Sequence, residues 1–302
     1  MQNTAQLLMI QPVYFGFNAE TAVNNAFQKD TGTDVQQLAL QEFNAFVGLL
    51  RSHKVDVTVV EDSAEPVTPD SIFPNNWISF HSDGRIYLYP MFAANRRQER
   101  KSAVLDTIQA TFKVREIIDL TSSEAAQLFL EGTGSMVLDR ENRIAYACLS
   151  PRTNELVLQE FCRIAGFTPL HFRAVDKNKT AIYHTNVMMC LGKTFAVVCL
   201  DAIPVEQERI KLLATLAETN KAVIDITLEQ LDHFAGNMLQ VMNEDGALLL
   251  VMSTQAYRSL TEQQVKALEQ HNTILQASLH TIETTGGGSA RCMMAEVFLE
   301  RT

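Results

Sequence analysis

Short apolar runs with a two-residue period recur along the chain and predict β-strands. Polar or glycine-containing segments separate them. The predicted strands are Leu7–Ile10, Val55–Val60, Ile86–Tyr89, Ser135–Leu138, Ile144–Ala147, Phe195–Leu200, Ala222–Ile226, Ala247–Met252 and Met293–Leu299. Because some runs lie close together, such as Ser135–Leu138 and Ile144–Ala147, we expect hairpins as well as βα crossovers.

Helical periodicity occurs between many of these runs. A long helix is predicted where apolar residues keep to one face and Asp34 is placed to cap the first turn. The residues on that face are Val35, Leu38, Ala39, Phe43, Phe46 and Leu50. Further helices are predicted at Asn95–Thr111, Asn154–Ala165, Val205–Thr219 and Thr261–His271.

No Pro/Ser-rich linker or low-complexity segment divides the chain, so we predict one domain over residues 1–302. Strands paired in hairpins do not fit a purely parallel doubly wound sheet. A mixed α/β or radially repeated architecture fits better. No repeat is detectable by sequence identity, so any repetition must be structural.

Composition restricts the partners of this domain. The net charge is −10 and no Lys/Arg-rich run occurs, which disfavours nucleic acid and anionic membrane surfaces. A small molecule is the expected partner, and both a monomer and a homo-oligomer remain open. No apolar stretch reaches the roughly 20 residues that span a bilayer. Residues 1–4 lack the basic region of a signal peptide, which favours the cytoplasm.

The five cysteines are odd in number and have no CxxC spacing, as expected of reduced thiols rather than of disulfides or a zinc site. Cys292 is the candidate nucleophile among them. It follows three consecutive glycines, Gly286–Gly288, which are costly to order unless another group must approach closely. A flexible loop explains this run equally well. The other four cysteines lie in apolar runs and are predicted to be inert.

A thiol with an ordinary pKa of about 8.5 needs a nearby imidazole to act as a nucleophile at neutral pH. His184, in the segment Tyr183–Asn186, is the candidate, although a buried structural histidine fits the same pattern. Glu131 precedes Gly132-Thr133-Gly134, where two glycines permit close approach. A helix-terminal acid is the alternative interpretation of Glu131.

The segment Phe73-Pro74-Asn75-Asn76-Trp77 places two amides beside the only tryptophan. A polar pair beside a large ring is a plausible ligand contact. On its own, the segment is better explained as a Pro-Asn turn with Trp77 packed in the core.

Five segments, taken in order, resemble motifs of the guanidine-modifying superfamily, which includes arginine deiminases, dimethylarginine hydrolases, amidinotransferases and arginine dihydrolases. The segments are Phe73–Asn76, similar to the FxRD-type motif, Leu130–Gly132 (LEGG-type), Ser150–Thr153 (SERT-like), Tyr183–Asn186 (HxD-type) and Gly286–Gly288 with Cys292. Residues Pro12–Asn25 and the string FPNNW look most like the bacterial citrulline-utilisation hydrolases.

The resemblance implies a five-bladed α/β propeller of ββαβ-type modules with pseudo-fivefold symmetry. It implies that Cys292 attacks a guanidino or ureido carbon, while His184 protonates the departing nitrogen and then activates water. Glu131 would hold the substrate nitrogens, and no metal or cofactor is needed. The implied substrate-binding residues are Asn18, Asn75, Asn76, Asn186, Arg97 and Arg152. The two arginines would bind an α-carboxylate, although Arg96 and Arg97 fit a solvated helix equally well.

The chain departs from the deiminase pattern at Asn76 and Asn186, where deiminases carry aspartates. A guanidinium group is charged and donates from every N–H, so carboxylates suit it. A ureido group is neutral and has one carbonyl acceptor, so amides fit it better. We therefore expect the site to handle a ureido carbon, as substrate or as intermediate.

Two other functions are consistent with the resemblance. In an amidinotransferase, an amine instead of water would capture the covalent intermediate. In a non-catalytic binding protein on the same scaffold, the nucleophile would be missing, and the combination of Cys292, His184 and Glu131 argues against this. The expected function is a cysteine hydrolase of arginine or citrulline-like amino acids that releases ammonia.

Overall fold

The computed structural model describes residues 1–32 and 35–302, whose strands form five three-stranded sheets. The strands are β1 (Gln6–Gln11), β2 (Asp56–Glu61), β3 (Ile78–Phe80), β4 (Arg85–Leu88), β5 (Glu116–Asp119), β6 (Val137–Asp139), β7 (Ile144–Cys148), β8 (Thr168–Phe172), β9 (Met189–Leu191), β10 (Phe195–Val198), β11 (Ala222–Asp225), β12 (Leu239–Met242), β13 (Leu248–Ser253), β14 (Thr273–Ala277) and β15 (Ala295–Glu296).

All five sheets have the same topology. The central strand pairs antiparallel with one neighbour and parallel with the other, in the orders β3-β4-β5, β6-β7-β8, β9-β10-β11, β12-β13-β14 and β15-β1-β2. In the last sheet β15 takes the place of the first strand, so segments far apart in sequence complete it. In the other four sheets the antiparallel neighbours are consecutive strands joined by hairpins, and in all five the parallel neighbours require a crossover.

Helices provide those crossovers and short turns elsewhere. The helices are α1 (Ala19–Ala22), α2 (Gln36–Ser52), α3 (Ser102–Thr111), α4 (Gly132–Ser135), α5 (Glu155–Ala165), α6 (Thr185–Met188), α7 (Glu206–Glu218), α8 (Leu228–Asp232), α9 (Thr254–Ser259), α10 (Glu262–Glu269) and α11 (His280–Gly286). Each central strand is joined to its parallel neighbour through one of α2, α3, α5 or α7, or through the pair α9 and α10. The repeating unit is therefore ββαβ.

Central strands are buried on both faces. In β13, Leu250 and Met252 belong to one apolar cluster, whereas Leu249 and Val251 belong to another. Because successive side chains of a strand point to opposite faces, a central strand such as β13 supplies two cores at once. This burial explains why the central strands read as nearly continuous apolar runs in the sequence.

The predicted elements are largely present, with differences in extent. The predicted helix Asn95–Thr111 is divided into a 3-10 helix, Asn95–Glu99, and α3, because Arg100 and Lys101 leave the helical conformation. The predicted strand Met293–Leu299 is reduced to β15. On α2, Leu38 is exposed rather than on the buried face. Asp34, the predicted cap of α2, lies outside the described residues.

Among the described residues, no helix combines the length and apolar character needed to cross a bilayer.

Leu8→Ala tests the importance of the sheet that β15 completes. Leu8 is fully buried on β1 and pairs with Ala295, so we expect the free energy of unfolding to fall by about 2 to 5 kcal/mol. Urea denaturation measures the change. The matched control is Leu156→Ala on α5, where the side chain is exposed and the change should stay within about 0.5 kcal/mol. Equal losses in the two variants would contradict the assignment.

Candidate active site

The connections between successive sheets carry most of the candidate functional residues, and Asn18, Arg97 and Arg152 lie outside them. We call them links 1 to 5, and they comprise residues 62–77, 120–136, 173–188, 226–238 and 278–294. Each link joins the third strand of one sheet to the first strand of the next. Four of them contribute the residues predicted from the motifs: Asn76 from link 1, Glu131 from link 2, His184 and Asn186 from link 3, and Cys292 from link 5.

Glycines in link 2 allow the links to approach one another. A Cβ atom on Gly132, which has a φ of +47°, would lie 2.4 Å from the backbone oxygen of Asn75. A Cβ atom on Gly134 would lie 2.4 Å from Nδ2 of Asn76 and 2.8 Å from the ring of His184. Any side chain at either position would push links 1 and 3 away from link 2.

Cys292 lies on the 3-10 helix Ala290–Met293 and is only 5% exposed. Its sulfur accepts hydrogen bonds from Nδ2 of Asn237 at 3.3 Å and from Nδ2 of Asn186 at 3.5 Å. Its backbone N–H donates to Ser289. Amide N–H groups interact more favourably with a thiolate than with a thiol, so this environment suits a nucleophilic sulfur.

His184 and Glu131 form a buried pair. Nε2 of His184 lies 2.8 Å from Oε2 of Glu131, and the other carboxylate oxygen accepts the backbone N–H of Phe92 at 2.9 Å. An ionised carboxylate can only accept, so Nε2 carries the ring proton and Nδ1 is left as the acceptor. The hydrogen bond between His184 and Glu131 therefore fixes the tautomer of the imidazole.

Charges around the pair determine its protonation. Burial alone would raise the pKa of Glu131, but Arg152, the hydrogen bond with His184 and Arg96 outweigh it and hold the pKa well below its usual range. Burial lowers the pKa of His184 to about 4, although Glu131 opposes this shift. At neutral pH the resting pair is therefore a carboxylate and a neutral imidazole.

The two amides of link 1 have different neighbours. Asn75 donates to the hydroxyl of Thr133 at 3.3 Å, whereas Asn76 lines the cavity beside Cys292. Nδ2 of Asn76 donates to Asn75, and its Oδ1 accepts from Arg96 at 2.7 Å. Trp77 packs in the core, as the turn interpretation predicted. The segment is thus both a 3-10 turn and part of the cavity wall.

Arg96 lines the cavity, but Arg97 does not. Arg96 is buried and its guanidinium also pairs with Glu99 at 2.8 Å. Arg97, the residue predicted to bind substrate, donates instead to the backbone oxygens of Met91 and Phe92. The two side chains are neighbours on one 3-10 helix and leave it in different directions.

Arg152 is buried at the cavity wall, as expected of a substrate contact. Its Nη1 lies 3.5 Å from Oε2 of Glu131, and its Nη2 donates to the backbone oxygen of Thr21 at 2.8 Å. The guanidinium also lies over the ring of Tyr183, 4.8 Å from its centroid. Asn24 accepts two further hydrogen bonds from it.

Asn18 lies one layer behind the cavity. Its Nδ2 donates to Asp70 at 2.8 Å, and its Oδ1 accepts from Asn95 and caps α1. Asp70 itself lines the cavity, and burial raises its pKa against the opposing effect of Arg96. Oδ1 of Asp70 and Oδ1 of Asn186 are buried acceptors without a hydrogen-bond partner among the described residues.

The cavity is narrow. Its volume is ≈ 20 Å³, enough for about one water molecule. The N-terminal segment, residues 18–29, lies over it and is held by hydrogen bonds that include Asn25 to the oxygen of Gly287, Arg152 to the oxygen of Thr21, and the N–H of Lys29 to the oxygen of Thr284. A ligand larger than water therefore requires this segment to move.

Sequence reasoning missed Asp70 and Asn237, and between the adjacent arginines it selected Arg97 rather than Arg96. Asp70 stands three residues before Phe73, within the same link as the predicted amides. Asn237 follows Gly236, where a Cβ atom would lie 2.3 Å from the backbone oxygen of Val187. A glycine-polar pair directly before a short apolar run, here the run that forms β12, is the signal that could have identified it.

Among the described residues, no group of three or more His, Cys, Asp or Glu side chains is arranged to hold a metal ion. All five cysteines are free.

Comparison with known proteins gives a consistent family. A family profile described as N,N dimethylarginine dimethylhydrolase, eukaryotic, matches residues 11–299. A search of curated protein sequences found no match.

Solved structures share the fold at low sequence identity. Apo ArgZ, an arginine dihydrolase from the cyanobacterial ornithine-ammonia cycle, has a TM-score of 0.76 and 16% identity, covering 98% of this chain. The chain spans only 40% of the length of that protein. The N-terminal domain of ArgZ, as a cysteine-to-serine variant bound to substrate, has a TM-score of 0.75 and 17% identity, with 98% of each chain covered.

A dimethylarginine dimethylaminohydrolase has the same fold. Its histidine-to-glycine variant, in an adduct with S-methyl-L-thiocitrulline, has a TM-score of 0.68 and 15% identity, covering 97% of this chain and 99% of that one.

His184→Gln tests the buried imidazole through the pH dependence of stability. The pKa of His184, about 4, is below the ordinary value of 6.5, so on acidification the unfolded chain takes up this proton first. Stability is therefore lost between about pH 6.5 and pH 4. We expect the variant to lose less stability than the parent protein between pH 7 and pH 5, measured from urea-unfolding midpoints. An equal decline in both proteins would rule out a buried neutral His184.

Proposed function

Since the chain belongs to the family of N,N-dimethylarginine dimethylhydrolases, we propose that it is a cysteine hydrolase of arginine- or citrulline-like amino acids. Its substrate bond would be the guanidino or ureido C–N bond, and ammonia would be released. The observation that supports this most is that Cys292, which two amides contact, and His184, which pairs with Glu131, line one narrow cavity.

In the first step, the sulfur of Cys292 forms a bond to the central carbon of the guanidino or ureido group. The C–N bond to the departing nitrogen breaks, and that nitrogen leaves as ammonia after receiving a proton from His184. Because the resting imidazole is neutral, it must first collect this proton, which the thiol supplies. Glu131 stabilises the imidazolium that forms for this interval.

In the second step, water attacks the same carbon. His184, now neutral again, accepts a proton from the water, and the carbon–sulfur bond breaks to restore the thiol. Starting from a guanidino group, the product carries a ureido group. A second round at the ureido carbon would release a second ammonia and leave a carbamate. Only the residues already described are needed for these proton transfers.

The buried polar groups support a ureido group as substrate or intermediate. Asn76 and Asn186 are neutral, and the carboxylate of Glu131 is already paired with Arg152 and His184. A guanidinium placed here would add a positive charge beside Arg96 and Arg152. Burying a charge without a partner costs several kcal/mol. The unpartnered Oδ1 of Asn186 is free to accept an N–H from either group.

The α-carboxylate and the α-ammonium group of an amino acid substrate require one cationic and one anionic side chain. Arg96 and Arg152 line the cavity and are the candidates to bind an α-carboxylate. Asp70, with one unpartnered oxygen, is the candidate to bind the α-ammonium group. Movement of the N-terminal segment would admit the substrate, and its return would exclude water during the reaction.

The repeated topology supports a five-bladed α/β propeller with pseudo-fivefold symmetry as the arrangement of the five sheets. Each sheet has one ββαβ unit, and β15 completes the sheet that β1 begins. We expect a single domain over residues 1–302, since the links of all five sheets contribute to one site. Five unpaired thiols favour a reducing compartment such as the cytoplasm.

Cys292→Ser tests the nucleophile. We expect ammonia release from arginine or citrulline derivatives to fall at least ~1000-fold, with the thermal unfolding midpoint little changed, because the hydroxyl is a far weaker nucleophile of similar size. Cys162→Ser on α5 is the matched control and should lower stability while retaining turnover. Turnover retained by the Cys292 variant would refute the assignment, and assays with an added amine would separate hydrolysis from amidino transfer.

Asn76→Asp combined with Asn186→Asp tests the substrate group. Two added carboxylates should shift preference from ureido towards guanidinium ligands, since only the latter can neutralise them. The ratio of dissociation constants for matched ureido and guanidino ligands, measured by calorimetry, should change by at least ~10-fold. An unchanged ratio would remove the argument for a ureido group in this site.

A further inference from the structure

The five links are equivalent positions in a repeated structure, so the residue that link 4 contributes can be compared with the others. Links 1, 2, 3 and 5 each place a polar side chain at the site within a few residues of the following strand. In link 4 the corresponding residue is Asn237, which stands two residues before β12, as Asn76 stands two residues before β3. Asn237 has no exposed surface.

Asn237 joins three separate segments through its side-chain amide. Its Nδ2 donates to the sulfur of Cys292 at 3.3 Å and to the backbone oxygen of Asn186 at 2.9 Å, while its Oδ1 accepts the backbone N–H of Arg291 at 3.0 Å. A backbone N–H can only donate and a backbone oxygen can only accept. The orientation of the amide is therefore unambiguous, and an N–H must face the sulfur.

The surrounding backbone is shaped to hold this amide. Phe234 adopts a left-handed conformation with a φ of 62°, and Gly236 leaves room for Val187 where a Cβ atom would approach its oxygen to 2.3 Å. The turn from α8 into β12 is thus pressed against link 3. Asn237 reaches the sulfur because this turn has no side chain at position 236.

We propose that Asn237 is a catalytic residue that stabilises negative charge on the sulfur of Cys292 and fixes its direction towards the substrate carbon. Its donor is closer to the sulfur than that of Asn186, and its oxygen holds the backbone of the residue next to the nucleophile. The proposal rests on the proposed role of Cys292. None of the five family motifs lies in link 4, so the proposal gives this link a residue at the site.

The test is the rate at which iodoacetamide alkylates Cys292, followed by peptide mass spectrometry, in Asn237→Ala, Asn237→Ser and Asn237→Asp. Alkylation needs a nucleophilic sulfur but no turnover, so it does not depend on the substrate. We expect a loss of at least ~10-fold for the Ala and Ser variants. The Asp variant, which matches Asn in size but presents a negative charge to the sulfur, should lose more. Turnover should fall in the same order, mainly in kcat rather than KM.

A purely structural role of Asn237 predicts that the alkylation rate of Cys292 changes in the opposite direction. If Asn237 only held the links together, its loss would loosen the cover of the cavity and speed alkylation. Rates equal to or above those of the parent protein in folded variants would therefore overturn the proposal. The matched control is Asn243→Ala, which removes a side-chain amide that bonds only its own turn and His53. It should lower stability without slowing alkylation.

A measurement on the parent protein covers the case in which the variants do not fold. Methylthiolation of Cys292 removes the charge that the sulfur can carry, so the side-chain NH2 resonances of Asn237 should shift in a ¹⁵N NMR spectrum. Unshifted resonances would overturn the proposal. Failure of the proposed function is recognised separately, because Cys292→Ser would then retain turnover whatever the alkylation rates are.

Discussion

The site depends on one buried carboxylate. Glu131 has no exposed surface, and a charge removed from water must be compensated by the protein. The compensation comes from the N–H of Phe92, the imidazole of His184 and the guanidinium of Arg152. Each of these groups is thereby fixed in place. The requirement to neutralise one charge thus orients the imidazole and holds the arginine.

Arg152 extends this coupling to the cover of the cavity. Its guanidinium binds the backbone oxygen of Thr21 and the side chain of Asn24 in the N-terminal segment. The segment is also bonded to link 5, which carries Cys292, through Asn25 and Gly287. The charge of Glu131, the N-terminal segment over the cavity and the position of Cys292 are therefore parts of one connected network.

The sequence predicts the candidate reactive groups better than their surroundings. Cys292, His184 and Glu131 could be identified because chemistry restricts their residue types and because glycines stand beside two of them. The choice between Arg96 and Arg97 depends on which side of a short 3-10 helix faces inward, and adjacent residues differ there by about 120°. No local pattern encodes that direction. Asn237 was missed because a single amide before a strand resembles any turn residue.

Among the strands, too, some can be predicted from the sequence and others cannot. Central strands such as β13 are buried on both faces and are easily predicted as apolar runs. The outer strand β5 is Glu-Ile-Ile-Asp, largely exposed, and lacks that signal. It forms because β4 supplies a parallel partner, which is a tertiary effect that propensity does not capture. The equivalence of the five sheets appears only after these outer strands are present.

The small volume of the cavity also bears on which oxidants can reach Cys292 in the resting protein. A space for about one water molecule admits a peroxide of similar size but excludes a bulky disulfide such as oxidised glutathione. Mixed-disulfide formation at Cys292 would therefore be confined to moments when the N-terminal segment is open.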